Sequence, residues 1–421
     1  MPPHPVRPPG LRRRTVLKTG AGLVAAATTG PFIIAARGDE PIRIGLDDPL
    51  TGAFAALGRN EQHGAAHAVE EINARGGILG RPIELLVRDS TTGDIRTAMQ
   101  QAREAIERDK VSFLLGNVNS AMALAMGRVA HELKTLHIVT GGHAESITGR
   151  DCHWNLFRVC STTQMEANAV AGALIKNAGK RWYYLTPDYN FGHALQNGLE
   201  RAAQKLGGSN VGGDLVPLGT ADFLPYLQRA DEANADVIIL LVQGDDAVGA
   251  LRQAVGLGLD KRVHLAGAQQ ELEVLESLPP EARIGTWVFE WYWKQAGVPH
   301  LDAFVAAIRA KTGKVPTART WFGYTAAWTC ALVANQEKSL DPVRLAKALQ
   351  DFKLPPEIAL MPNEPEYRAG DHQLLGSLYV GTALKGSGPD DEDLFHVDEV
   401  VSARDAAPSV ADTGCTLNWP S

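Results

Sequence analysis

Two short stretches carry residues that can hold a small anion. Gly116-Asn117-Val118-Asn119-Ser120 offers a hydroxyl just ahead of an apolar helical pattern, and Thr140-Gly141-Gly142-His143 offers an imidazole on a glycine-rich loop. A helix N-terminus presents unpaired N–H groups and the positive end of the dipole, and glycine lets the backbone approach a ligand closely. Ser120 can therefore donate to a carboxylate, or simply cap its helix. His143 can donate to a carboxylate or stack on a ring, or it can belong to a surface loop. Apolar and aromatic candidates are Leu57, Tyr189, Phe191 and Tyr324, together with Trp291 in a cluster with Trp287, Tyr292 and Trp293. Trp291 either packs at a hinge or stacks on a planar ligand. Gln243 and the pair Gln269/Gln270 add polar groups, while Asp245 and Asp246 serve as ammonium partners or as plain helix caps.

Signatures of catalysis are missing from the sequence. There is no GxGxxG between strand and helix, no GxxxxGK[ST], no GxSxG elbow and no HExxH. His131 and His137 are spaced across a helix-to-strand join, which suits a structural role better than a metal site. No catalytic residue, metal ligand or cofactor is expected.

These loops need strands and helices to position them. Ile42–Leu46, Ile83–Val87, Val111–Leu115 and Leu136–Val139 form strand-like runs separated by the helical patterns Glu61–Ala74, Thr97–Arg108 and Ala121–Glu132. The alternation restarts at Gln164–Asn177 and runs through strands at Trp182–Leu185, Asp214–Val216, Val237–Val242, near Gly267 and at Gly285–Phe289. Helices at Leu301–Lys311 and Tyr324–Gln336 follow. Such alternation gives an α/β fold with parallel sheets.

With 421 residues, of which 45% are apolar and 21% charged, the chain can build two cores. A net charge of -7 gives no attraction for nucleic acid. Cys152, Cys160, Cys330 and Cys415 lack any CxxC spacing, so they are either disulfides of an oxidising compartment or buried thiols. Cys152 with Cys160 would close a short loop; the pairing stays open. Arg13-Arg14-x-x-Leu17-Lys18 and the Gly/Ala-rich run to Ala36 fit a cleaved export signal of the twin-arginine type over residues 1–37.

Several strings resemble one family. They are Leu50-Thr51-Gly52, the run Glu71-Ile72-Asn73-Ala74-Arg75-Gly76-Gly77-Ile78-Leu79-Gly80, Leu115-Gly116, Asp188-Tyr189-Asn190-Phe191-Gly192 and Asp222-Phe223. The chain resembles the type I periplasmic substrate-binding proteins of ABC importers, in particular the Leu/Ile/Val-binding group. The resemblance implies two doubly wound lobes joined by about three hinge strands. It places lobe 1 at 41–160 and 290–341, lobe 2 at 161–289 and 342–400, and a tail at 401–421. It implies ligand binding by Ser120, Gly141 and His143 from the first lobe and by Phe191, Tyr189, Gln243 and Gln269 from the second, and the residues themselves add Leu57 and Trp291 as candidates. The ligand is a small carboxylate or amide, with aromatic acids ahead of amino acids and then urea or amides. The family's ammonium-pairing carboxylate aligns near Gln269 or Gln270, with Glu271 adjacent. Permease subunits in the inner membrane are the implied partners, after export to the periplasm. The rival readings are an exported sensor of the same fold and, less favoured, an enzyme.

Overall fold

The computed structural model describes residues 40–386 and 391–420. The export signal expected over 1–37 lies outside the described residues. The first sheet comprises β1 (Ile42–Asp48), β2 (Ile83–Asp89), β3 (Phe113–Leu115), β4 (Leu136–Val139) and β5 (Leu156–Arg158). All five are parallel, in the order β2-β1-β3-β4-β5. The connections carry α1 (Ala55–Ala74), α2 (Ile95–Glu107) and α3 (Ser120–Glu132). The strand order reverses between β1 and β3, and open α/β sheets place ligands at such a switch point.

After α4 (Thr163–Asn177) a second sheet forms from β6 (Arg181–Pro187), β7 (Ser209–Val216), β8 (Val237–Leu240), β9 (His264–Ala266) and β10 (Thr286–Phe289). Its helices are α5 (Asn190–Lys205), α6 (Leu224–Glu232), α7 (Asp245–Gly256) and α8 (Leu272–Ser277). Next come α9 (Leu301–Thr312) and α10 (Ala318–Glu337), which pack against α1 of the first sheet's layer.

The chain then forms α11 (Pro342–Ala348), α12 (Pro356–Ala359), β11 (Glu366–Tyr367) and β12 (Leu374–Leu375). The sequence assigns 342–400 to the second lobe, but the part before Ser377 packs on the first. Helix α11 packs on α10 and β4, and Gln373 bridges to Arg158 of β5. The second sheet resumes only with β13 (Ser377–Ala383) and β14 (Phe395–Ser402), which are antiparallel and complete the order β14-β13-β10-β9-β8-β6-β7.

Two helices start earlier than their hydrophobic pattern suggests. Helix α1 begins at Ala55 rather than Glu61, and α10 at Ala318 rather than Tyr324. The added turn of α10 buries Arg319 and Thr320, and that of α1 buries only Leu57 and Gly58 among exposed or half-buried neighbours, so no continuous apolar stripe marks either. At α10 the start is set by a reciprocal capping box between Thr317 and Thr320. The helices touch where both are bare: a Cβ on Gly64 would lie 1.8 Å from Thr320 O, and one on Gly323 would lie 1.9 Å from Glu61 O. That close crossing brings Glu61 and Arg319 face to face.

The disulfide joins Cys152 to Cys415, and Cys160 and Cys330 are buried free thiols. The short Cys152–Cys160 loop is thereby ruled out. The bond ties the tail to the first sheet's layer, where Trp419 packs 6.0 Å from Trp154 and 5.9 Å from His372. Among the described residues no helix is long and apolar enough to cross a membrane.

Candidate ligand-binding cleft

The loop after β3 feeds α3, whose N-cap is Asn119: its carboxamide accepts from Ala121 N–H at 2.9 Å and Met122 N–H at 3.4 Å. Ser120 is therefore not the cap. Its hydroxyl oxygen accepts instead from Ala144 N–H at 3.1 Å, linking the two glycine-bearing loops. Arg158, fully buried at the end of β5, holds the second loop from below. Its Nη1 donates to Gly142 O at 3.1 Å and to Ala144 O at 2.7 Å, straddling His143, while Nε donates to Gln373 Oε1 at 2.7 Å. Gly141 leaves room for the charged pair beside it: a Cβ there would lie 2.1 Å from Arg319 Nη1 and 2.5 Å from Glu61 Oε1, so both side chains would have to shift.

Arg319 and Glu61 open a buried charge network that no sequence motif announced. Arg319 Nη1 donates to Glu61 Oε1 at 3.1 Å and to Gly141 O at 3.3 Å, and Nε donates to Glu271 Oε1 at 2.9 Å. Glu271 precedes α8, so this guanidinium connects groups carried by both sheets. Burial opposes its charge, but the neighbouring Glu271 and Glu61 outweigh burial and hold it firmly protonated. Beside it, Glu273 accepts from Asn60 Nδ2 and from Thr317 Oγ1, each at 2.6 Å. Burial, then the charge of Glu271, pushes the Glu273 carboxyl up to about 7.

The acids farther in are also displaced. Burial and the charge of Glu61 push Asp48 well above the usual carboxylate range, and burial raises Glu61 itself. Glu166 on α4 is raised in the same way by burial and then by Glu290. Glu290 is the exception. Burial works against its ionised form, but the charge and hydrogen bond of His143, with the Ser161 N–H, prevail and lower its pKa. His143 Nε2 contacts Glu290 Oε1 directly, and Gln269 Nε2 lies 3.1 Å from the same imidazole nitrogen.

Ser120, Gly141, His143 and Gln269 thus converge on one buried region. Phe191 joins them, its ring edge-on to His143 at 6.0 Å, with Tyr189 stacked behind at 5.9 Å. Leu57 packs with Phe54 and Val118 in a small cluster that Tyr189 covers. Gln243 is buried after β8, and its Oε1 has no hydrogen-bond partner among the described residues.

Trp291 is a correction. Its indole N–H donates to Leu360 O at 2.8 Å and its ring meets Phe304 edge-on, so it packs in the core. Tyr324 is likewise engaged elsewhere, donating to Glu71 Oε2 at 2.9 Å. Asp246 accepts from Gly219 N–H, serving its own layer. At the position aligned with Gln269 or Gln270, the carboxylate facing the cleft is Glu271. Phe322, which lies edge-on to His143 at 6.2 Å and under the Arg319 guanidinium, escaped sequence reading because α10 is buried on most of its circumference.

Two doubly wound layers with polar loops converging between them define a type I periplasmic-binding-protein fold. The family model described as "Periplasmic binding protein" matches residues 41–388, and the chain belongs to that family. Leu/Ile/Val-binding protein homolog 3 of Brucella melitensis is 30% identical over 254 residues, covering 60% of this chain and 65% of that relative. This chain thus spans just under two thirds of that relative's length. A periplasmic binding protein from Burkholderia mallei superposes with a TM-score of 0.83 at 25% identity, covering 89% of this chain and 98% of its own. An amino acid ABC transporter substrate-binding protein from Pseudomonas fluorescens superposes with a TM-score of 0.80 at 29% identity, covering 90% and 100%.

Proposed function

We propose that this protein is the extracytoplasmic solute receptor of an ABC importer and that its ligand is a zwitterion of the amino-acid class, closed between the two lobes. The carrying observation is the charge balance of the cleft. Arg319 is matched by Glu271 and also holds Glu61, His143 pairs with Glu290, and the surplus acids Asp48, Glu61, Glu166 and Glu273 have pKa values raised by burial. A simple anion would leave an uncompensated charge in this acidic, water-poor space, which is costly. A zwitterion adds none: its carboxylate suits Ser120 and the α3 N-terminus, and its ammonium suits the acids opposite. Aromatic acids, favoured on the sequence, lose support once Trp291 leaves the cleft, although Phe191 and Phe322 still offer an apolar wall. The amino-acid association of the Leu/Ile/Val-binding and Pseudomonas fluorescens proteins supports the same choice.

The mechanism that follows is closure. Contacts from both lobes to one solute favour the closed form, and only such differential contact can shift the equilibrium. The closed form is what permease subunits would meet. A thermal-shift screen of the mature protein against amino acids, aromatic acids and short amides tests the reading, since a ligand selective for the folded state raises the midpoint. Stabilisation by amino acids supports it; stabilisation by aromatic acids alone overturns the ligand assignment. Export is tested separately, because replacing Arg13-Arg14 by Lys-Lys should strand the precursor inside the cell.

A further inference from the structure

We propose that His143, Glu166 and Glu290 form a site for a divalent transition-metal ion of the zinc class, seated in the cleft between the two lobes. The inference rests on reading the cleft as the binding region and adds an inorganic ion to what it takes. One donor atom from each side chain lies within 4.8 Å of the others. Donors around a tetrahedral ion bound at about 2.0–2.2 Å stand roughly 3.3–3.6 Å apart. His143 Nε2 is 3.8 Å from Glu166 Oε1 and touches Glu290 Oε1, so small side-chain movements make room for an ion.

A second observation points the same way. Glu166 is fully buried, and its Oε2 has no hydrogen-bond partner among the described residues. An unused carboxylate oxygen in the interior is expensive unless something binds it. The supporting shell is in place: Ser161 Oγ donates to Glu166 Oε1 at 2.9 Å, and Ser161 N–H donates to Glu290 Oε2. One imidazole with carboxylate oxygens suits zinc and tolerates manganese or iron. Two carboxylates neutralise a divalent charge. Because His143 follows β4 whereas Glu166 and Glu290 sit on α4 and after β10, a bound ion ties the two lobes together.

The test uses the full mature protein after dialysis against a chelator. Titration with zinc sulfate should show one equivalent bound with a dissociation constant near or below ~1 μM, and the melting midpoint should rise. Cobalt(II) should give visible d–d absorption in the wild type. His143→Gln and Glu166→Gln should each weaken zinc binding by about tenfold or more, while His193→Gln, on the surface, should change nothing. Should a glutamine variant fail to fold, the wild-type cobalt spectrum decides. No zinc binding up to ~100 μM, or equal binding by all variants, overturns the site. Amino-acid binding to the metal-free protein is scored in parallel, so loss of the metal site and failure of the receptor reading give different results.

Discussion

Ser120 and Asn119 are neighbours with exchanged duties. The carboxamide one residue earlier takes the cap, which frees the Ser120 hydroxyl to join the α3 loop to Ala144 N–H. Ser120→Ala should weaken binding of the best amino-acid ligand by about tenfold, the worth of roughly one hydrogen bond. Calorimetry showing less than a twofold change would place the carboxylate site elsewhere. Asp47 gives a second test at this scale. Burial raises its carboxyl to about 7, and both side-chain oxygens lack hydrogen-bond partners among the described residues. A carboxyl raised on folding contributes stability that is full below the unfolded value near 4 and lost as pH rises toward 7. Each unit of displacement is worth about 1.4 kcal/mol. The stability of the wild type should therefore fall between pH 4.5 and 7.5. Asp47→Asn should make that fall shallower in denaturant titrations, with Glu273 and the other raised acids Asp48, Glu61 and Glu166 supplying the slope that remains.

The crossing of α1 and α10 is what turns scattered acids and bases into a site. Gly64 and Gly323 let the two backbones approach so closely that Glu61 reaches Arg319. Gly64→Ala or Gly323→Ala forces the helices apart. Each should cost about 1–3 kcal/mol or more in chemical denaturation, and ligand affinity should fall with it because Arg319 leaves Gly141 O and Glu271. A fully stable variant with unchanged affinity would mean that the crossing is not what positions the site. The α3, α4 and β4 boundaries were legible from the sequence to within a residue, because apolar periodicity and cap residues coincide there. The entries into α1 and α10 were not, because the first turn of α1 buries only Leu57 and Gly58 and that of α10 buries the polar Arg319 and Thr320.

Across the whole molecule two ties act at a distance. The Cys152–Cys415 bond spans 263 residues of sequence and anchors the tail beside Trp154. Cys415→Ser should lower stability by about 2–4 kcal/mol and expose the tail to proteolysis; resistance equal to that of the wild type would show that packing alone holds it. Arg319 is the other tie, joining Glu61 and Gly141 of one lobe to Glu271 of the other. Arg319→Gln leaves two buried carboxylates short of their cation, at a cost of roughly 3–5 kcal/mol. Small-angle scattering should report a larger radius for the ligand-free variant, because the lobes lose a closing contact; an unchanged radius would remove Arg319 from the closure mechanism.

The sequence by itself determined the α/β class, the alternation of strands and helices from β1 to α10 apart from β5 and α8, and the loops that carry Ser120, Gly141, His143, Phe191 and Gln269, and its strings pointed to the family by resemblance. Those features are local: periodicity, capping and glycine placement act over a few residues. Tertiary structure alone decided that Cys152 takes Cys415 and that Trp291 turns into the core. It also brought Glu61, Glu166, Glu271, Glu290 and Arg319 together as the charged lining of the cleft. These residues are scattered along the chain and each has an ordinary local setting. Their shared environment, and so their pKa shifts and chemistry, exists only once two helices cross and two sheets face each other.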